Sequence, residues 1–141
     1  MAKLGINLEL QPMTWEAQWE LGQSDPQNAQ DIFVMYWWPD YVSPISWLYG
    51  MYRTEDPTLF NLGYHANAEF DEIIDTADAI SGSDREGATQ MFIDAQKMLV
   101  DDAVSVFIYD VANTHVGRAN LQGYADNPAY PHVTFVYNLS K

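Results

Sequence analysis

The stretch FVMYWWPDYVSP at residues 33–44 decides how the chain is read. Four consecutive apolar or aromatic residues, Phe33, Val34, Met35 and Tyr36, predict a strand buried on both faces, within a strand spanning 31–38. Pro39 ends its ladder because proline has no N–H to donate. Asp40 therefore falls just past a strand's carboxyl end, flanked by Trp37, Trp38 and Tyr41. In open α/β sheets that is where ligands bind, and aromatic walls around one carboxylate suit an organic ligand carrying a cation. The alternative is that Asp40 merely starts a turn and the aromatic residues fill core.

Working outward, residues 6–10 alternate, with Ile6, Leu8 and Leu10 on one side and Asn7 and Glu9 on the other, as in a half-buried strand. The preceding AKLG reads as the last turn of a helix, with Gly5 as its terminating residue. Thr14 caps a short helix over 15–21, closed by Gly22, and the polar SDPQNAQ after it is a loop. Strand, helix and strand in that order imply two parallel strands joined by a right-handed crossover.

A helix through Ile45, Leu48, Tyr49 and Tyr52 follows, with Pro44 in its first turn. Asn67 caps another that carries Phe70, Ile73, Ile74, Ala77 and Ile80 at three-and-four spacing. Ser83 and Glu86 have capping-box spacing before a helix striped by Ala88, Met91, Phe92, Ala95 and Leu99, so the two helices form an antiparallel pair. Residues 104–111 return to a strand pattern that is apolar on both faces. Beyond residue 112 the chain is punctuated by glycine and proline and ends in the strand-like HVTFVYNL, which needs a pairing partner.

Composition narrows the function. With 141 residues and 48% hydrophobic content the chain can build one core. Twenty Asp and Glu against six Lys and Arg give a net charge of −14, which repels phosphate backbones and anionic membranes and attracts cationic solutes. No nucleic-acid partner is expected. The absence of cysteine excludes disulfides, thiolate metal sites and a cysteine nucleophile. No segment approaches the ~18 apolar residues of a membrane span, and MAKLGINLEL lacks a signal peptide's basic start and long apolar middle. If the protein is exported, its targeting segment lies elsewhere.

Catalytic signals are weak. His65, His115 and His132 lack metal-ligand spacing, and His65 reads as a loop residue. The SGS at 81–83 joins two helices and is not a nucleophile elbow. Asp71 with Asp75, and Asp101 with Asp102, are carboxylate pairs of the kind glycosidases use, but in so acidic a chain they read as solvated faces. No cofactor and no metal are called for.

Taken in order, LGINLEL, a tryptophan-containing helix, YWWPDYVSP, GYHANAEFDEIIDTA, a helix ending MLVDDA, a strand, and QGYADNP before a terminal strand resemble a known family. It is the extracellular solute-binding proteins of bacterial ABC importers, of the dipeptide-, oligopeptide- and nickel-binding type. The resemblance covers nearly the whole chain but only that family's carboxyl-terminal part. It implies an α/β fragment of the second lobe of a type II periplasmic-binding-protein fold, with parallel-type strands, packed helices and a terminal return segment. Residues 1–111 would be the later half of that lobe and 112–141 the hinge return into the first.

The resemblance further implies a non-enzymatic protein, periplasmic or extracellular, with a membrane-anchored lipoprotein form compatible, that hands a peptide or other small organic solute to an ABC permease in the membrane. In peptide-binding members the Asp of a W-x-x-D-Y motif pairs with the peptide's α-amino group, and Trp37 through Tyr41 match it with Asp40 in the Asp position. Trp37, Trp38, Tyr41 and Trp47 would supply stacking surface. Ser43 departs from the acidic residue common before this proline, and Ser105 from a proline common before the hinge strand. Rival expectations are an oligosaccharide-binding relative, a small glycoside hydrolase and an acidic interaction module. An unprotected sheet edge would also favour self-association.

Overall fold

The computed structural model describes residues 2–112, 114–127, 130 and 133–141. Among the described residues four α-helices carry the order: α1 (Trp15–Ser24), α2 (Pro44–Tyr52), α3 (Ala68–Ile80) and α4 (Arg85–Asp101), with short 3-10 turns at Ala2–Leu4 and Val136–Asn138.

Each helix starts where a side chain or a proline relieves the unpaired N–H groups of its first turn. The Thr14 hydroxyl accepts from Ala17 N–H, and Pro44 occupies the first position of α2, where a missing donor costs nothing. The Asn67 side-chain oxygen accepts from both Glu69 and Phe70 N–H. At α4 the cap is Asp84, which accepts from Gly87 N–H, one residue later than the expected Ser83. The Ser83 hydroxyl instead donates to Ile80 C=O and closes α3. Gly22 does not end α1; it is buried inside it, against Leu62. Gly5, at φ +73°, follows the first 3-10 turn as anticipated.

The core is an α3–α4 hairpin with α2 laid across it. Phe70, Ile74 and Ala77 of α3 interlock with Ala88, Phe92, Ala95 and Leu99 of α4, and Ile45 and Leu48 of α2 complete the cluster. The open end of the hairpin is tied where Asn67 Nδ2 donates to Asp102 Oδ2 at 3.2 Å. The loop from α2 to α3 is organised by two side chains. One oxygen of Glu55 accepts from Leu59, Phe60 and Asn61 N–H at 2.7, 2.8 and 3.0 Å. Buried Asn61 donates to Arg53 and His65 C=O and accepts from His65 N–H.

The expected α/β architecture is overturned: among the described residues there is no sheet. The segments at 6–10, 31–38 and 104–111 are not strands, and the sole strand-type pairing among the described residues is one antiparallel bridge between Gln122 and Ser140. Part of the expected terminal strand, including His132, lies outside the described residues. The exposure of the supposedly two-face-buried segments shows the same thing, with Val106 86% and Ile108 69% accessible. A helix satisfies its own backbone, whereas a strand exists only through a neighbour's N–H and C=O groups. These apolar segments find no such neighbour and pass as unpaired chain.

Candidate functional site

Residues 33–39 run over α1 and α2 with one side inward. Phe33, Met35, Trp37 and Pro39 are half-buried, while Val34, Tyr36 and Trp38 are exposed. Gln18 of α1 donates its side-chain N–H to Val34 C=O at 3.2 Å. The Trp37 ring lies along α2 beside Gly50 and meets Phe60 edge to face at 5.4 Å. Phe60 meets Trp19 at 5.8 Å, and Trp19 meets Trp15 at 5.5 Å, so a row of four rings joins α1, the loop and the 33–39 segment.

Asp40 stands at the bend between that segment and α2, and its backbone is held at both ends. Its N–H donates to Ser46 Oγ at 2.8 Å, and its C=O accepts from the Tyr130 hydroxyl. Trp37 is tied to the same residue of α2, its indole N–H reaching Ser46 C=O at 3.5 Å. The Asp40 side chain is exposed, and among the described residues its carboxylate has no hydrogen bond or ion pair. The arrangement is a pinned backbone presenting a free anionic group.

The other residues singled out by sequence are distributed around it unevenly. Trp38 leans on Tyr36 at 6.2 Å, on the opposite side of the segment from Trp37. Tyr36 in turn shares a hydroxyl contact of 3.0 Å with Tyr109. Tyr41 and Trp47 are exposed, and neither makes a ring contact among the described residues. Thus Trp37 and Asp40 converge on α2, Trp37 as a supporting ring, while Trp38, Tyr41 and Trp47 are the more exposed rings. The shallow depressions on α4, one lined by Arg85, Glu86, Gly87, Thr89 and Gln90 and another by Ile93, Gln96, Lys97, Val100 and Asp101, do not include Asp40.

Other titratable groups are structural. His65 is more than a loop residue: its side chain is 8% accessible, its Nδ1 lies 2.8 Å from Tyr52 C=O, and its ring meets Phe70 edge-on. Nδ1 therefore carries the proton and donates, leaving Nε2 3.8 Å from Asp102. Asp71 accepts from Thr54 N–H, and Asp75 takes the Arg53 guanidinium in a two-pronged bond at 3.1 and 3.0 Å. That bond holds Arg53 above its ordinary pKa. Each carboxylate ties α3 to the loop before it. Among the described residues no three His, Asp or Glu side chains gather as metal ligands.

Sequence reading missed Ser46 and Tyr130. No sequence signal marks Ser46, a small hydroxyl residue between Ile45 and Leu48 whose burial on α2 exists only in the folded chain. Tyr130 is far away in sequence and gave none.

One curated relative resembles the chain from end to end. Across 141 residues, 99% of this chain, it is 24% identical to the probable D,D-dipeptide-binding periplasmic protein DdpA of Escherichia coli strain K12. The chain spans about a quarter, 26%, of that relative's length. No family model matches, and no solved structure matches significantly. The likeness is that of a distant relative of part of a solute-binding protein. No described helix is long and apolar enough to cross a membrane.

Proposed function

We propose that the chain is part of a periplasmic or extracellular binding protein for a small solute bearing a free amino group, most simply a dipeptide, and that it performs no chemistry on that solute. The observation that carries the reading is Asp40: an unpaired, exposed carboxylate on a backbone pinned at both ends, with the exposed rings of Trp38, Tyr41 and Trp47 within seven residues of it in the chain. A carboxylate facing an ammonium is a charge-assisted contact, and aromatic faces favour both cations and apolar side chains. The charge of −14 adds a field that draws cationic groups in. Likeness to a dipeptide-binding relative supports the same solute class, and delivery to a membrane permease belongs to the proposal.

The surface is open, so affinity is low: much of an enclosing pocket's burial is absent. Titration calorimetry with D-alanyl-D-alanine, L-alanyl-L-alanine, their N-acetylated forms and a neutral disaccharide tests it. Binding of a free-amine dipeptide that disappears on N-acetylation and in Asp40→Ala is expected. Equal binding of acetylated and free forms, or disaccharide binding that survives Asp40→Ala, overturns it; the latter outcome assigns the rings to sugar stacking.

A further inference from the structure

We propose that Ser46 is a positioning residue that sets the candidate site by holding both Asp40 and Trp37 on the first turn of α2. Its two oxygens do different work. The hydroxyl oxygen accepts the Asp40 N–H at 2.8 Å, and the carbonyl accepts the Trp37 indole N–H at 3.5 Å. The residue itself is only 7% accessible, so water does not readily replace it in either contact. Between the two anchored residues stand Trp38 and Pro39, and proline fixes one backbone torsion of the turn. A helix is a rigid base, and a turn tied to it at two points carries the Asp40 backbone, and with it the root of the carboxylate side chain, at one fixed place. No sequence motif marks Ser46, because the contacts reach back six and nine residues across a bend.

The two bonds separate under mutation. Ser46→Ala removes the hydroxyl, leaves the Asp40 N–H without its partner, and keeps the backbone carbonyl for Trp37. Alanine is also the best helix former, so α2 is retained. Amide hydrogen exchange followed by NMR reads the first consequence without any ligand: protection of the Asp40 N–H falls about tenfold in Ser46→Ala, a loss on the scale of one hydrogen bond. Ser46→Thr, which keeps the hydroxyl, restores it. Ser46→Cys, of similar volume but a weak acceptor, falls between and serves if the alanine variant unfolds.

The ligand arm rests on the amine-binding reading above. There, free-amine dialanine binds Ser46→Ala about fivefold more weakly, and Ser46→Thr as the native chain does. Asp40 exchange unchanged in Ser46→Ala overturns the positioning role, as does lost protection with undiminished dipeptide binding. A native chain that does not distinguish free from N-acetylated dialanine overturns the amine reading instead. Lost Asp40 protection in that case still supports Ser46 as the anchor of the turn.

Discussion

Asn67→Asp is the most informative single change in the helical core. By the rules for isolated helices it is benign, since Asp caps as well as Asn, and a negative charge at a helix N-terminus gains about 0.3–1 kcal/mol from the macrodipole. Here the side chain has a second task. Its Nδ2 donates to Asp102 Oδ2 at 3.2 Å, tying the start of α3 to the end of α4. Aspartate puts a second carboxylate where the donor was, and two unit charges at that spacing repel by about 1 kcal/mol even in bulk water's dielectric. The lost tether, exposed on one side, is worth a further ~0–1 kcal/mol.

The dipole gain is at best matched by these losses, and Asn67→Asp is less stable than the native chain by up to about 1.7 kcal/mol. Asn67→Ala, which loses cap and tether together, costs about 1–2 kcal/mol. Urea denaturation followed by far-ultraviolet dichroism at neutral pH measures both. The diagnostic arm is Asp102→Ala: in that background the repulsion is gone, and Asn67→Asp becomes neutral or stabilising. An Asn67→Asp chain more stable than the native with Asp102 in place would refute the argument.

Three further outcomes follow from the same contacts. Phe70→Ala empties a fully buried site between α3 and α4 and is expected to cost about 3–5 kcal/mol, read as a lowered midpoint in urea denaturation. Glu55→Ala strands three backbone donors at the turn that carries Phe60. It should lower stability by about 1–3 kcal/mol and shift tryptophan emission, because Phe60 packs on Trp19 and Trp37; native-like emission would show that the loop holds without its carboxylate. Burial pushes the Tyr52 phenol above its ordinary pKa, against an opposing hydrogen bond to Ser105. Above about pH 10 the unfolded chain releases that proton before the folded one, so stability falls with rising pH, and Tyr52→Phe should flatten this alkaline limb of the denaturation profile.

The helices were legible because their signals are local. Thr14, Pro44 and Asn67 act within a turn of where they stand, and the stripe from Phe70 to Ile80 repeats at the helical period. The misplaced cap of α4 shows the resolution of such reasoning: Ser83 and Asp84 are both good acceptors, and only the chain's path out of α3 decides between them. Strands failed for a different reason. The apolar segments at 33–36 and 104–111 carry the composition of buried strands, but pairing depends on residues far away in the chain, and no pattern within eight residues reports it. The candidate site was half legible. Asp40 and Trp37 stand out by type, whereas Ser46, Tyr130 and the division of rings into supporting and exposed sets are facts of tertiary contact.

Gly50 carries a consequence for how this chain tolerates change. It sits within α2, where glycine is about 1 kcal/mol poorer than alanine, yet a methyl group there would come within 3.0 Å of the Trp37 ring. Gly50→Ala thus sets two effects against each other at one atom: the helix becomes more rigid, and the indole is pushed off the surface against which the Asp40 turn is laid. A variant selected for heat resistance would accept the methyl group, and one selected for recognition would reject it.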